Sequence, residues 1–116
     1  KKEIALSFNN IGDVFIATQS YDSAAYYLQK AILLNKEISN ISGLIDGYLM
    51  YSKYWIHQNR FDSALAAQQH ALQYAKEINS PPLLIRCYRE LANTYRKTGN
   101  ASAFLASTNS YIALED

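Results

Sequence analysis

The sequence predicts an all-α fold, an α-solenoid of three helix-turn-helix repeats. Three observations predict it. The chain resembles itself when shifted by 40 residues. Apolar residues recur three and four apart inside each copy, the spacing of one helix face. Turn and capping residues fall at the joints.

The shift aligns Phe8 with Tyr48 and Tyr88, and Ile11 with Tyr51 and Leu91. It aligns Gly12 with Ser52 and Ala92, and Phe15 with Trp55 and Tyr95. Tyr21-Asp22-Ser23-Ala24 meets Phe61-Asp62-Ser63-Ala64, and Ile32 meets Leu72 and Ile112. Large stays beside large and small beside small, so one register explains every match. The repeats run over about 1–40, 41–80 and 81–116 of a single domain.

The elements follow in order. Phe8, Ile11, Gly12 and Phe15 stripe a first helix over 3–18. Ala24, Leu28, Ala31 and Ile32 stripe a second over 22–38. Ser42-Gly43 breaks the chain before a third over 42–58, and the Asp-Ser-Ala phrase at 62–64 opens a fourth over 62–78. Ser80-Pro81-Pro82 precedes a fifth over 82–98, with proline acceptable in the first turn. Lys97-Thr98-Gly99-Asn100 ends it with cation and glycine, and Asn100 is placed to cap a sixth over 101–114. Asp22 and Asp62 complement the helix dipole at first turns. Gly12, Ser52 and Ala92 sit where paired helices cross, opposite Ala24, Ala31, Ala64 and Ala71. Phe8, Phe15, Trp55, Tyr88 and Tyr95 are expected as core knobs. Removing the Trp55 ring from such a core would cost about 3–5 kcal/mol.

Composition narrows the function. The 116 residues are 49% hydrophobic and 18% charged, with a net charge of +1. That balance offers no global attraction to nucleic acid or an anionic membrane. No run of eighteen apolar residues occurs, so no membrane insertion by this segment is expected. The start, Lys1-Lys2-Glu3, does not read as a signal peptide. Cys87 is the single cysteine, which excludes an internal disulfide and a cysteine-based zinc cage. His57 and His70 lie on different helices without ligand spacing. No G-x-S-x-G elbow or glycine-rich phosphate loop occurs. Asp13, Asp46 and Glu90 are not paired for acid–base work. The reading is therefore non-enzymatic, with no cofactor and no metal.

The pattern of aromatic, large-small pair and aromatic on each first helix resembles the tetratricopeptide repeat. The residues carrying it are Phe8, Ile11-Gly12 and Phe15, then Ala24, Leu28 and Ala31-Ile32. The second unit has Tyr48, Tyr51-Ser52 and Trp55, then Ala64 and Ala71-Leu72, with Gln68 departing at the large position. The third has Tyr88, Leu91-Ala92, Tyr95 and Gly99, with Phe104 and Tyr111 departing at small positions. The period of 40 exceeds the family's usual 34. Long repeats of this style are similar to helical sensor regions of bacterial signalling proteins. That likeness implies an extracytoplasmic setting beside a sensor kinase, or a cytoplasmic one otherwise.

In such a stack the first helix of each pair lines the concave face. The groove positions are Asn9 and Asp13 with Ile16, Leu49 and Lys53 with Ile56, and Arg86, Arg89, Asn93 and Arg96 beside Lys97. Asp46 and His57 lie near the second set. The stripe on helix five predicts a partner of acidic or extended-peptide type, because guanidinium forks suit carboxylates. The clamp by which one subgroup of the family holds chaperone tails is not matched, because Asn9, Asp13 and Glu90 occupy its places. Groove asparagines such as Asn9 and Asn93 resemble those of peptide-sensing regulators. The function expected is a protein or peptide interaction module, the sensor or scaffold region of a bacterial signalling protein. The alternative is the peptide-binding regulatory domain of a transcription regulator. Lys1 and Lys2 at a helix start, and Glu115 and Asp116 at a helix end, oppose the dipole. They suggest a longer parent. The lack of an extra capping helix after the sixth, which mixes Ser and Thr with Phe104, Leu105 and Ile112, suggests a longer parent too, or a homo-oligomer formed through an exposed repeat end.

Overall fold

A computed structural model describes residues 1–115. It has six α-helices and, among the described residues, no strand. They are α1 (Lys2–Ala17), α2 (Tyr21–Glu37), α3 (Ile41–His57), α4 (Phe61–Ile78), α5 (Pro81–Thr98) and α6 (Ala101–Glu115). These bounds lie within a residue of those the apolar spacing predicts.

The joints share one device. Gln19, Ser39, Asn59, Asn79 and Gly99 all adopt positive φ, between 50° and 75°. They recur every twenty residues. After each, the next amide reaches back to the helix just ended: Ser20 N to Phe15 O at 2.8 Å, Asn40 N to Asn35 O at 2.9 Å, Arg60 N to Trp55 O at 3.0 Å and Asn100 N to Tyr95 O at 3.0 Å. This is a Schellman ending, which satisfies carbonyls the helix leaves unpaired. Asn100 Oδ1 then accepts from Ala103 N at 3.1 Å, capping α6. The third helix differs from expectation. Asn40 caps it by accepting from Gly43 N at 3.3 Å, so Ser42 and Gly43 lie inside its first turn rather than before it.

Neighbours along the chain pack as antiparallel pairs, α1 on α2, α3 on α4 and α5 on α6. The pairs join through α2 on α3 and α4 on α5. α1 also touches α3, and α3 touches α5, whereas α2, α4 and α6 do not touch one another. The first helices are therefore the inner, concave side of the curve. The whole measures 36 × 30 × 17 Å.

Small residues set the crossings. Ala24, Ala31, Ala64, Ala71 and Ser52 are fully buried. A Cβ at Gly12 would lie 2.5 Å from Leu28 Cδ2, so this crossing admits no side chain without displacing Leu28. The large core residues include Ile16, Leu28, Ile32, Leu44, Ile45, Leu49, Tyr54, Leu72, Leu84 and Leu91.

The aromatics correct the expectation. Phe8, Phe15, Trp55, Tyr88 and Tyr95 are each half-buried and line seams instead of filling the core. Trp55 packs edge-on to the buried Tyr54, with ring centroids 4.9 Å apart and planes at 71°. Half-burial lowers the expected cost of Trp55→Ala to about 2 kcal/mol. Phe15 stacks on Tyr27, with centroids 5.8 Å apart. Tyrosine suits such seams because its ring packs while its hydroxyl stays wet. Gln29 Nε2 accordingly donates to Tyr51 Oη at 3.2 Å across the α2–α3 junction.

Candidate functional site

The concave face is built by α1, α3 and α5, and the structure divides the predicted groove residues into three groups. The first group is paired across repeats. Lys53 Nζ donates to Asp13 Oδ1 at 2.6 Å. Arg86 is likewise ion-paired to Asp46. Each pair joins residues one repeat apart on neighbouring first helices. All four side chains remain nearly half exposed, so the pairs fix geometry more than they stabilise.

The second group turns away from the groove or into the core. Leu49 is a member of the buried core around Ile45, Leu72 and Leu91, only 4% exposed. It reaches the concave face only as the floor of a cavity of about 170 Å³, beside Lys53, Ile56 and Arg86. Arg89 belongs to α6 instead. Its Nη2 donates to Glu115 Oε1 at 2.8 Å, and its guanidinium lies 5.4 Å from the Tyr111 ring centroid. The single basic stripe predicted on α5 is thus split, with Arg86 held by α3 and Arg89 by α6. The third group is open: Asn93 and Arg96 are exposed, and Arg96 forms no ion pair among the described residues.

Asn9 stands apart from all three. It is 95% buried, and its Oδ1 has no hydrogen-bond partner. It lines a cavity of about 410 Å³ at the junction of the first two repeats, where α1 begins, α2 ends and α3 begins. Asn35, Asn40 and Gly43 line the same cavity, with Lys2, Glu3 and Asp46 also on its wall. Asn35 is 1% exposed, and its Oδ1 accepts from Asn40 Nδ2 at 3.1 Å. Sequence reasoning named Asn9 but missed Asn35 and Asn40. The signal that finds them is the register: Asn9, Asn35 and Gly43 stand where the next junction has Leu49, Ala75 and Leu83.

Other polar groups are local. His70 is exposed and stacks on Tyr48 with centroids 5.0 Å apart. Cys87 is fully buried, and burial pushes its thiol up from 9.0 to about 11 against the smaller opposing effect of Arg86. Among the described residues no group of three or more His, Cys, Asp or Glu could hold a metal ion. Among the described residues no helix is long and apolar enough to cross a membrane.

The two ends of the stack are a further surface. Ile4 and Ile11 on α1 are 51% and 37% exposed. Their counterparts Leu44, Leu84 and Leu91 are buried. At the other end Leu105 and Ile112 on α6 are 59% and 49% exposed, where Leu65 is half-buried and Ile32 and Leu72 are buried. A scan of protein-family models finds no match to the chain, and a search of curated proteins finds none either.

Proposed function

We propose that this chain is a non-enzymatic protein-interaction module, a scaffold whose end faces dock helical repeats of the same kind. The observation that carries the reading is the exposure of Ile4 and Ile11 at one end, and of Leu105 and Ile112 at the other. At these register positions the interior junctions bury or half-bury their side chains. The α2–α3 and α4–α5 junctions are thus a template for joining α6 of one copy to α1 of the next. Burying apolar area drives such joining at about 25 cal/mol per Å². The contact is heterologous, so it builds linear stacks and not closed dimers.

A second copy of this chain fits both faces, because its own α1 and α6 carry the register positions of the interior junctions. The long repeat, similar in style to bacterial sensor regions, supports placing such a scaffold within a signalling protein. Capture of an acidic peptide along the concave face has less support, because Asp13 and Asp46 already neutralise Lys53 and Arg86.

Cross-linking tests the geometry. Within the chain Ile32 lies against Gly47, since a Cβ there would be 3.0 Å from Ile32 Cγ1. One repeat outward, the counterparts are Ile112 of one copy and Ser7 of the next. In a Cys87→Ala background, a mixture of Ser7→Cys and Ile112→Cys chains is expected to form a disulfide-linked dimer. Neither variant alone is expected to do so. Equal linking by either variant alone, or none in the mixture, would refute the stacking.

A further inference from the structure

We infer that the junction of the first two repeats is a binding site for a small neutral or zwitterionic molecule of the amino-acid or carboxamide class. The inference is separate from end-to-end stacking and rests on different residues.

The repeat supplies its own control. At the second junction Leu49, Ala75 and Leu83 belong to one apolar cluster. At the first junction the same three register positions hold Asn9, Asn35 and Gly43. Two buried amides thus replace two apolar side chains, a change that weakens a core unless each polar atom is satisfied. Asn9 Oδ1 is not satisfied.

Capping explains part of this set. Asn40 caps α3 and donates to Asn35 Oδ1. Gly43 makes room for both, since a Cβ there would collide with Asn35 Oδ1 and Asn40 Nδ2. Capping does not explain Asn9, whose amide lines the cavity with a buried and unpartnered acceptor.

The chemistry of the walls selects the ligand. An unpartnered carbonyl oxygen calls for an N–H donor, and amide groups offer both donors and acceptors in return. Lys2 and Glu3 bring one charge of each sign to the wall, and Asp46 is ion-paired to Arg86. Lys2 is the one cation on this wall, beside two carboxylates, so the wall has no cation cluster to hold an anion such as phosphate. A cavity of about 410 Å³ lies within the roughly 300–1,000 Å³ usual for small-molecule sites.

The test is an NMR titration of the full, uniformly ¹⁵N-labelled chain. The probes are L-glutamine, N-acetylglycinamide and, as an anion control, inorganic phosphate. The side-chain amide signals of Asn9 and Asn35 are expected to move along a saturating curve with glutamine or acetylglycinamide. Phosphate is expected to leave them in place. Asn9→Leu, which installs the residue of the second junction, is expected to abolish the response and to raise the melting temperature. If Asn9→Leu does not fold, Asn35→Ala replaces it and is expected to abolish the response. Absence of any response to both amide probes would overturn the assignment, and so would a response to phosphate alone. A response unchanged in the variant would overturn it too. If neither amide probe binds and Asn9→Leu lowers stability, Asn9 is a structural amide and the site is refuted.

Discussion

Lys53 Nζ and Asp13 Oδ1 meet at 2.6 Å, and the two residues are one repeat, 40 positions, apart. Arg86 and Asp46 repeat that relationship on the next pair of first helices. Both pairs are local expressions of the register that builds the molecule. Lys53 and Asp13 are 48% and 43% exposed at the side chain, which limits what the pair contributes. Lys53→Glu is expected to cost about 0.5–1 kcal/mol in urea unfolding. Exchanging the charges, with Asp13→Lys beside Lys53→Asp, should recover most of the loss. A single-variant cost well above that range would mean the pair holds the curvature of the stack.

The centre of the molecule carries a polar defect. Gln68 is fully buried where the first unit has Leu28. Its Nε2 donates to Thr94 Oγ1 at 2.8 Å and lies 3.4 Å from Ser52 Oγ. Its Oε1 has no partner. Ser52 and Thr94 already donate to the carbonyls of Leu49 and Glu90, so they lose little if Gln68 leaves. Gln68→Leu is expected to raise stability by about 1–2 kcal/mol. A destabilised variant, read by the same urea titration, would mean that the cluster holds α3, α4 and α5 in place.

Left-handed turns offer a second route to stability. Ser39 holds φ at 55° and Gln19 at 61°, in a region that disfavours residues with a Cβ. Asn or Gly occupies three of the five equivalent joints. Ser39→Gly is expected to gain about 0.5–1 kcal/mol, visible as a melting point several degrees higher. No gain would mean that the hydroxyl or the stiffer backbone of Ser39 offsets the strain.

Cys87 predicts a pH dependence. Its thiol is raised from 9.0 to about 11 in the folded chain, chiefly by desolvation on burial. The fold therefore favours the neutral thiol. That contribution is complete below pH 9 and fades as pH rises toward 11. Cys87→Ala is expected to lose less stability over this interval than the parent chain does. Parallel losses would show that Cys87 does not carry the alkaline effect. The native thiol should also resist iodoacetamide at pH 8 until the chain is unfolded.

The path of the chain was legible because it depends on spacing. Gly12, Ser52 and Ala92 marked the crossings, and Gly99-Asn100 marked a joint. The depth of burial was harder to read. Trp55 and Phe15 have the size of core residues, yet the small residues that bring the backbones together leave those rings at the seams. Leu49 sat on the predicted groove stripe but packs beneath it, since an apolar side chain at that edge gains by turning inward. Arg89 shared a stripe with Arg86, and only the position of Glu115 decides that it faces α6. Asn35 and Asn40 come from a helix end and a cap, so their approach to Asn9 exists only once the first two repeats are joined. Two of the dipole-opposing charges at the ends find tertiary partners, Lys1 with Glu37 and Glu115 with Arg89. Asp116 lies outside the described residues.

The central claim is that the exposed ends continue the repeat between copies, and light scattering across a concentration series tests it most directly. The mean mass is expected to climb beyond one chain without stopping at a dimer. Ile11→Glu or Leu105→Glu should each hold the chain at monomer mass, because each removes one half of the heterologous contact. A parent chain that stays monomeric up to millimolar concentration would contradict the account, as would a dimer untouched by either substitution.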